Sequence, residues 1–190
     1  MNIASISDAI YIGDVAENDR AFSGKSPVLY NHSLKVRYSH NLEKGFVNRH
    51  LSIVYFFCVN DEIYKIGQTS GKSGIKGCMN FYCVAGQDDP GQNRFTINAL
   101  MREQIQRGNK VSVYIKFLEP IMVPVPGISK VHHMPAPISA KCLEEVHLQE
   151  YREIVGSNPP WNFQESGMPV PAHINEQFAS YKQMRATARK

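Results

Sequence analysis

The sequence predicts an α+β fold in which a small central antiparallel sheet is flanked by helices. Three observations predict it. Residues 51–59 (Leu-Ser-Ile-Val-Tyr-Phe-Phe-Cys-Val) are an almost unbroken apolar and β-branched run, and a second strand-like run follows Asn60-Asp61 at 62–68. Residues 110–117 (Lys-Val-Ser-Val-Tyr-Ile-Lys-Phe) alternate cleanly, as a half-buried strand does. Residues 93–107 and 139–155 carry apolar side chains at helical spacing.

The first pair reads as a β-hairpin, because Asn60 and Asp61 tolerate the positive φ values of a tight turn. Strand alternation puts Tyr55, Phe57 and Val59 on one face. Lys65, near the end of the second strand, can line one pocket with Tyr55.

At 190 residues the chain suits one compact domain with an extension. A hydrophobic content of 43% with 20% charged residues excludes a disordered chain. The net charge of +4 permits a polyanionic partner without requiring one. No apolar stretch reaches membrane-spanning length and the polar N-terminus lacks a secretory apolar region, so a soluble, cytoplasmic protein is expected. Cys58 falls in an apolar strand and Cys142 on a helix, where reduced thiols are expected. Cys78, Cys83, His132 and His133 match no common zinc-ligand spacing.

In chain order, Tyr11-Ile12-Gly13 reads as part of a short strand and residues 23–27 as a turn. Residues 32–49 interleave Lys35, Arg37, Lys44 and Arg49 with Tyr38 and Phe46. Such a pattern can grip a nucleic acid, and it equally fits a solvated face over core aromatics. Gly71-Lys72-Ser73 lacks the earlier glycine of a nucleotide-binding phosphate loop, so it reads as flexible backbone with Lys72 and Lys76 near the hairpin. Residues 87–91 are loop chemistry. The helix at 93–107 presents Ile97, Leu100, Met101 and Ile105 and stops at Gly108-Asn109. After the strand at 110–117 come five prolines (Pro120, Pro124, Pro126, Pro135, Pro137), read as a long irregular loop.

Ser139 can cap the helix that runs to about Val155 and ends at Gly156. On it Leu143, Val146, His147, Glu150 and Ile154 share a stripe, which predicts an inward-facing Glu150. Glu144 lies at the stripe's edge, and Glu145 lies opposite with Arg152. An inward carboxylate must be paired, hydrogen-bonded or bound to a cation. Asn158-Pro-Pro-Trp-Asn162 then forms a fixed turn able to hold Trp161 and Asn162 against the domain. Residues 167–171 read as a linker, and 176–190 as a basic helical tail, frayed or loosely docked.

Together these pieces resemble the GIY-YIG nuclease superfamily over about residues 51–162. Its first motif corresponds to Ile53-Val54-Tyr55 and its second to Lys65-Ile66-Gly67. Its closing glutamate, aliphatic, proline and asparagine correspond to Glu150, Ile154, Pro159 and Asn162. Asn-Pro-Pro-Trp-Asn resembles the corresponding segment of a phage endonuclease in that superfamily. Tyr11-Ile12-Gly13 spells the second motif, but the ten residues before Tyr11 leave no room for a first hairpin strand. Two departures stand out. Lys65 takes the place of the second-motif tyrosine, as in a restriction-enzyme branch of the superfamily, with Tyr64 expected on the opposite face. The usual arginine is absent, with Lys76 as first substitute and Arg94 as second.

The resemblance implies a restriction-type or phage endonuclease that hydrolyses double-stranded DNA, using one magnesium or manganese ion per active site held by Glu150. Tyr55 would orient or deprotonate the attacking water, Lys65 with Lys76 or Arg94 would balance phosphate charge, and Asn162 would brace the site. It divides the chain into an N-terminal extension (1–50) with possible DNA contacts, the nuclease domain (51–165) and a linker with basic tail (166–190). Cutting of a palindrome would imply a homodimer or higher homo-oligomer. A non-cleaving DNA-binding module of the same fold, or an unrelated α/β interaction protein, are the alternatives.

Overall fold

The structure, a computed structural model, describes residues 1–18, 34–70, 74–83, 90–117, 121–136 and 139–188. Its strands are β1 (Ile10–Glu17), β2 (Leu34–Tyr38), β3 (Ile53–Val59), β4 (Glu62–Thr69), β5 (Val111–Phe117), β6 (Ile121–Pro126) and β7 (Val131–Ala136). Its helices are α1 (Gly74–Cys83), α2 (Gln92–Gln106), α3 (Ala140–Val155), α4 (Phe163–Ser166) and α5 (Ala172–Ala188). The turn at 23–27, Gly71-Lys72-Ser73 and most of the loop at 87–91 lie outside the described residues.

The expected hairpin is β3 and β4, turned by Asn60 and Asp61 at φ 48° and 66°. It lies at one end of a five-stranded antiparallel sheet of order β2-β1-β5-β3-β4, which makes β4 an edge strand. All seven residues of β3 are buried. It has a strand on each side and packed layers on both faces, which is why its sequence is apolar throughout rather than alternating. Ile53, Tyr55, Phe57 and Val59 enter a large core with α1, α2 and α5, while Val54, Phe56 and Cys58 meet Leu148 and Tyr151 of α3.

The described part of residues 1–50 is woven into this sheet. β1 pairs with both β2 and β5, and Ile12, Val15, Leu34 and Phe46 belong to the large core. Phe46 serves as a core aromatic, and Arg49 lies over its ring while pairing with Glu43. Tyr11-Ile12-Gly13 is a strand, as expected, with a register shift between Tyr11 and Gly13. A Cβ on Gly13 would lie 2.2 Å from the Arg37 carbonyl oxygen, so the close approach of β2 requires glycine.

Three expectations are corrected. The segment after the hairpin, read as flexible backbone, enters α1 at Gly74 and buries Ile75, Met79, Tyr82 and Cys83 at helical spacing. Residues 121–136, read as irregular loop, form the antiparallel β6–β7 ribbon, with Pro126 opposite Val131. Residues 172–188 do not fray: Ile174 and Tyr181 are buried in the large core. No helix among the described residues is long and apolar enough to cross a membrane.

Candidate active site

The site begins with a glycine. Tyr55 lies opposite Gly67 across the hairpin, and a Cβ on Gly67 would sit 2.3 Å from the Tyr55 ring carbon Cζ and its hydroxyl. Gly67 therefore lets the phenol lie flat over β4. The Tyr55 hydroxyl shares a 2.7 Å hydrogen bond with that of Tyr82 on α1, and the ring meets Phe57 edge-on. Burial pushes the Tyr55 phenol well above its ordinary value near 10, and Tyr82, Cys78 and the Glu144 carboxylate push it the same way. The hydroxyl is thus a neutral hydrogen-bonding group at physiological pH. A neutral hydroxyl in this setting can orient a water by hydrogen bonding.

Lys65 pairs with Phe57, one place along the same face from Tyr55, and is 4% exposed. Tyr64 was expected on the opposite face; the ladder corrects this. Ile63 faces Cys58 and Lys65 faces Phe57, so Tyr64 is an extra, bulged residue between them. The bulge cancels one alternation step. Tyr64 joins the Tyr55 side of the sheet and packs on Trp161 at 5.1 Å.

The 158–162 turn grips this bulged segment. Trp161 N–H donates to the Tyr64 carbonyl (2.8 Å), the Asn162 side-chain NH2 donates to the Ile66 carbonyl (2.8 Å), and Ile66 N–H donates to Asn162 Oδ1 (2.9 Å). Asn162 is fully buried. Asn162→Ala strands the N–H and the carbonyl of Ile66, so a loss of about 2–4 kcal/mol is expected in urea unfolding.

On α3 the buried stripe is Ala140, His147, Leu148 and Tyr151, with Glu144 half-buried in line with them. This rotates the expected stripe. Tyr151 and Leu148 fill the second core, and the Tyr151 hydroxyl donates to the Ile63 carbonyl, leaving Val146 and Ile154 exposed. Glu150, expected inward, is 57% exposed, and its contact is His147 Nδ1 at 3.6 Å. Burial, with help from Lys116, holds the His147 imidazole below its ordinary pKa. The Glu144 carboxylate is the smallest of the influences that raise the Tyr55 phenol.

The two arginine substitutes differ in setting. Lys76 is on the exposed side of α1. Arg94 is anchored at the end of α1, its guanidinium 4.7 Å over the Phe81 ring and its Nε donating to the Phe81 carbonyl. Phe81 in turn stacks edge-on with Tyr82. Asn98, also buried, donates to the carbonyls of Tyr82 and Cys83 and fixes that helix end. Tyr82 and Asn98 escaped the sequence reading. Asn98 had a signal, as a polar residue beside Ile97 and Met101 on a buried helix; Tyr82 had none linking it to Tyr55.

Burial pushes the Cys78 and Cys83 thiols to about 12, so both are protonated at neutral pH. Cys58, Cys78, Cys83 and Cys142 are all free thiols. Among the described residues no three His, Cys, Asp or Glu side chains cluster as metal ligands.

No family model matches the sequence, and no curated protein matches it. Among solved structures the chain is similar to a point mutant of bacteriophage T4 EndoII, with 18% identity, TM-score 0.48, and 85% of this chain and 98% of that one covered. It is also similar to the restriction endonuclease HPY188I in complex with product DNA, with 15% identity, TM-score 0.40, and 84% of each chain covered.

Proposed function

We propose that the chain is a metal-dependent endonuclease that hydrolyses phosphodiester bonds of double-stranded DNA. The observation that carries this reading is the Asn162 clamp on Ile66, which joins two motif segments 96 residues apart in sequence. It draws the second motif, Lys65-Ile66-Gly67, and the closing turn of the glutamate-to-asparagine pattern into one structure around Tyr55.

Glu144 is the carboxylate best suited to hold the cation in this reading, in place of Glu150. It is half-buried on α3, which covers the sheet face opposite Tyr55, and adds a minor push to the Tyr55 phenol, whereas Glu150 is exposed beside His147. A single carboxylate fits magnesium or manganese, since magnesium keeps several waters and takes one or two carboxylates. When bound, such an ion stabilises the charge that develops on the phosphate and the departing oxygen.

The chain's own groups supply the rest. Tyr55, protonated and fixed by Tyr82, orients the attacking water by hydrogen bonding. Lys65 places a positive charge on the same face, and Arg94, tethered beside Tyr82, supplies a second more readily than the outward Lys76. Charge fixed in a partly dry site balances the phosphate in the transition state without reorganisation.

The test is cleavage of supercoiled plasmid with and without magnesium. The wild type is expected to nick or linearise it only with metal, and Tyr55→Phe and Lys65→Met to lose about 100-fold or more in rate while still binding DNA. Salt-sensitive binding without cleavage under any metal would mean a non-cleaving DNA-binding module. No salt-sensitive binding at all would mean an α/β interaction protein.

A further inference from the structure

The β6–β7 ribbon has no role in the site described above, and it breaks the usual rule for exposed strands. Paired residues share a face, so Ile121, Val125 and Met134 lie on one side and Met122 and Val131 on the other. All five are exposed, Met122 at 59% and Val131 at 56%. At the tip Ile128 is wholly exposed at 108%. The tip is nevertheless ordered: Gly127 N–H donates to the Lys130 carbonyl at 2.9 Å, and the His132 ring lies so close over Gly127 that a Cβ there would be 2.8 Å from it. A two-stranded ribbon with two apolar faces is marginal alone in water and is built to be covered.

Chemistry selects the cover. Residues 121–136 contain no aspartate or glutamate and carry Lys130 at the tip, so the ribbon does not repel a polyanion and sets one cation beside the exposed Ile128 to meet it. Pro124 and Pro126 on one strand and Pro135 on the other remove ladder donors, which opposes extension of the ribbon by another protein strand. Two-stranded ribbons enter DNA grooves, and isoleucine, methionine and proline are side chains that wedge between base steps.

We propose that the β6–β7 ribbon enters a groove of duplex DNA, with Ile128 pressed into the base stack and Lys130 on an adjacent phosphate. This rests on duplex DNA being the ligand, as argued above, and adds the element that deforms it. The ribbon is then a second contact, separate in sequence from the Tyr55 site, and it favours easily unstacked pyrimidine–purine steps.

The experiment uses the full chain in EDTA with a 30-base-pair duplex carrying 2-aminopurine at a TA step. Wild-type protein is expected to bind and raise the 2-aminopurine fluorescence. Ile128→Ser, at a wholly exposed position, is expected to unfold at the wild-type temperature, bind about tenfold more weakly and give no fluorescence rise. Lys130→Gln is expected to reduce the salt slope of binding by about one. Wild-type affinity and fluorescence in Ile128→Ser would overturn the inference while leaving duplex DNA as the ligand. Sedimentation showing self-association that Ile128→Ser abolishes, with DNA affinity unchanged, would also overturn it and make the ribbon a contact between copies. Wild-type protein that binds no duplex at all would overturn this inference and the nuclease reading together.

Discussion

Glu144→Gln is expected to lower magnesium-dependent cleavage of duplex DNA by about 1000-fold, while Glu150→Gln costs less than about tenfold. The two carboxylates lie on one helix, and the contrast between them comes from burial. Glu144 is half-buried on α3, which packs on the hairpin face opposite Tyr55, and its charge adds a minor push to the Tyr55 phenol. Charge in such a partly dry position interacts several-fold more strongly than in water. Glu150 is 57% exposed and solvated, with His147 as its neighbour. Glutamine keeps the shape and removes the charge, so both variants should fold and bind DNA in EDTA. Initial rates on supercoiled plasmid, together with manganese binding followed by electron paramagnetic resonance, check the expectation. Loss of both signals in Glu150→Gln, with Glu144→Gln unaffected, would move the cation to the outer face of α3.

Gly67→Ala is expected to cost about 2–3 kcal/mol of stability and on the order of 100-fold in cleavage rate. The new methyl would be 2.3 Å from Tyr55 Cζ and hydroxyl and 2.7 Å from Cε2, far inside van der Waals contact. A flexible side chain could swing aside. Tyr55 cannot, because its ring is buried against Phe57 and its hydroxyl is tied to Tyr82. The ring must leave its position or the strands must part. Urea unfolding measures the first cost and plasmid cleavage the second. In the Gly67→Ala background, Tyr55→Phe removes one of the clashing atoms, so it should restore part of the stability and none of the activity. Additive stability losses would show that the two positions do not meet.

Legibility in the sequence followed the range of the interactions involved. The β3–β4 hairpin was readable because its strands and turn are contiguous and their residue choices are local. Asn162 was readable because two prolines make its turn nearly independent of the rest of the chain. The α3 face was misread because Val146 and Ile154, in register with the packed Leu143 and His147, offer a stripe as apolar as the true one. The choice was made by Leu148 and Tyr151 fitting the far face of the sheet, a tertiary fact. A single bulged residue, Tyr64, defeated the alternation rule in β4. β1 was readable as a short strand but its place in the sheet was not, and β2 was not read at all: β1's long-range partner, β5, lies about a hundred residues away, and no local pattern encodes that pairing. In the β6–β7 ribbon, prolines masked strands that need few ladder bonds. In α5, Ile174, Phe178 and Tyr181 carry helical spacing under a basic surface that drew attention first.

The 158–162 turn has a consequence for how the molecule behaves in a crowded solution. β4 ends the sheet, and its outward peptide groups at Tyr64 and Ile66 are the places where a strand from another molecule would dock. Trp161 N–H and the Asn162 amide occupy those groups instead. An uncovered edge is a template for chain-to-chain stacking and fibril growth. The residues of this turn therefore also close that stretch of β4 to a strand from another molecule, so substitutions in the turn are expected to raise insolubility as well as to lower stability.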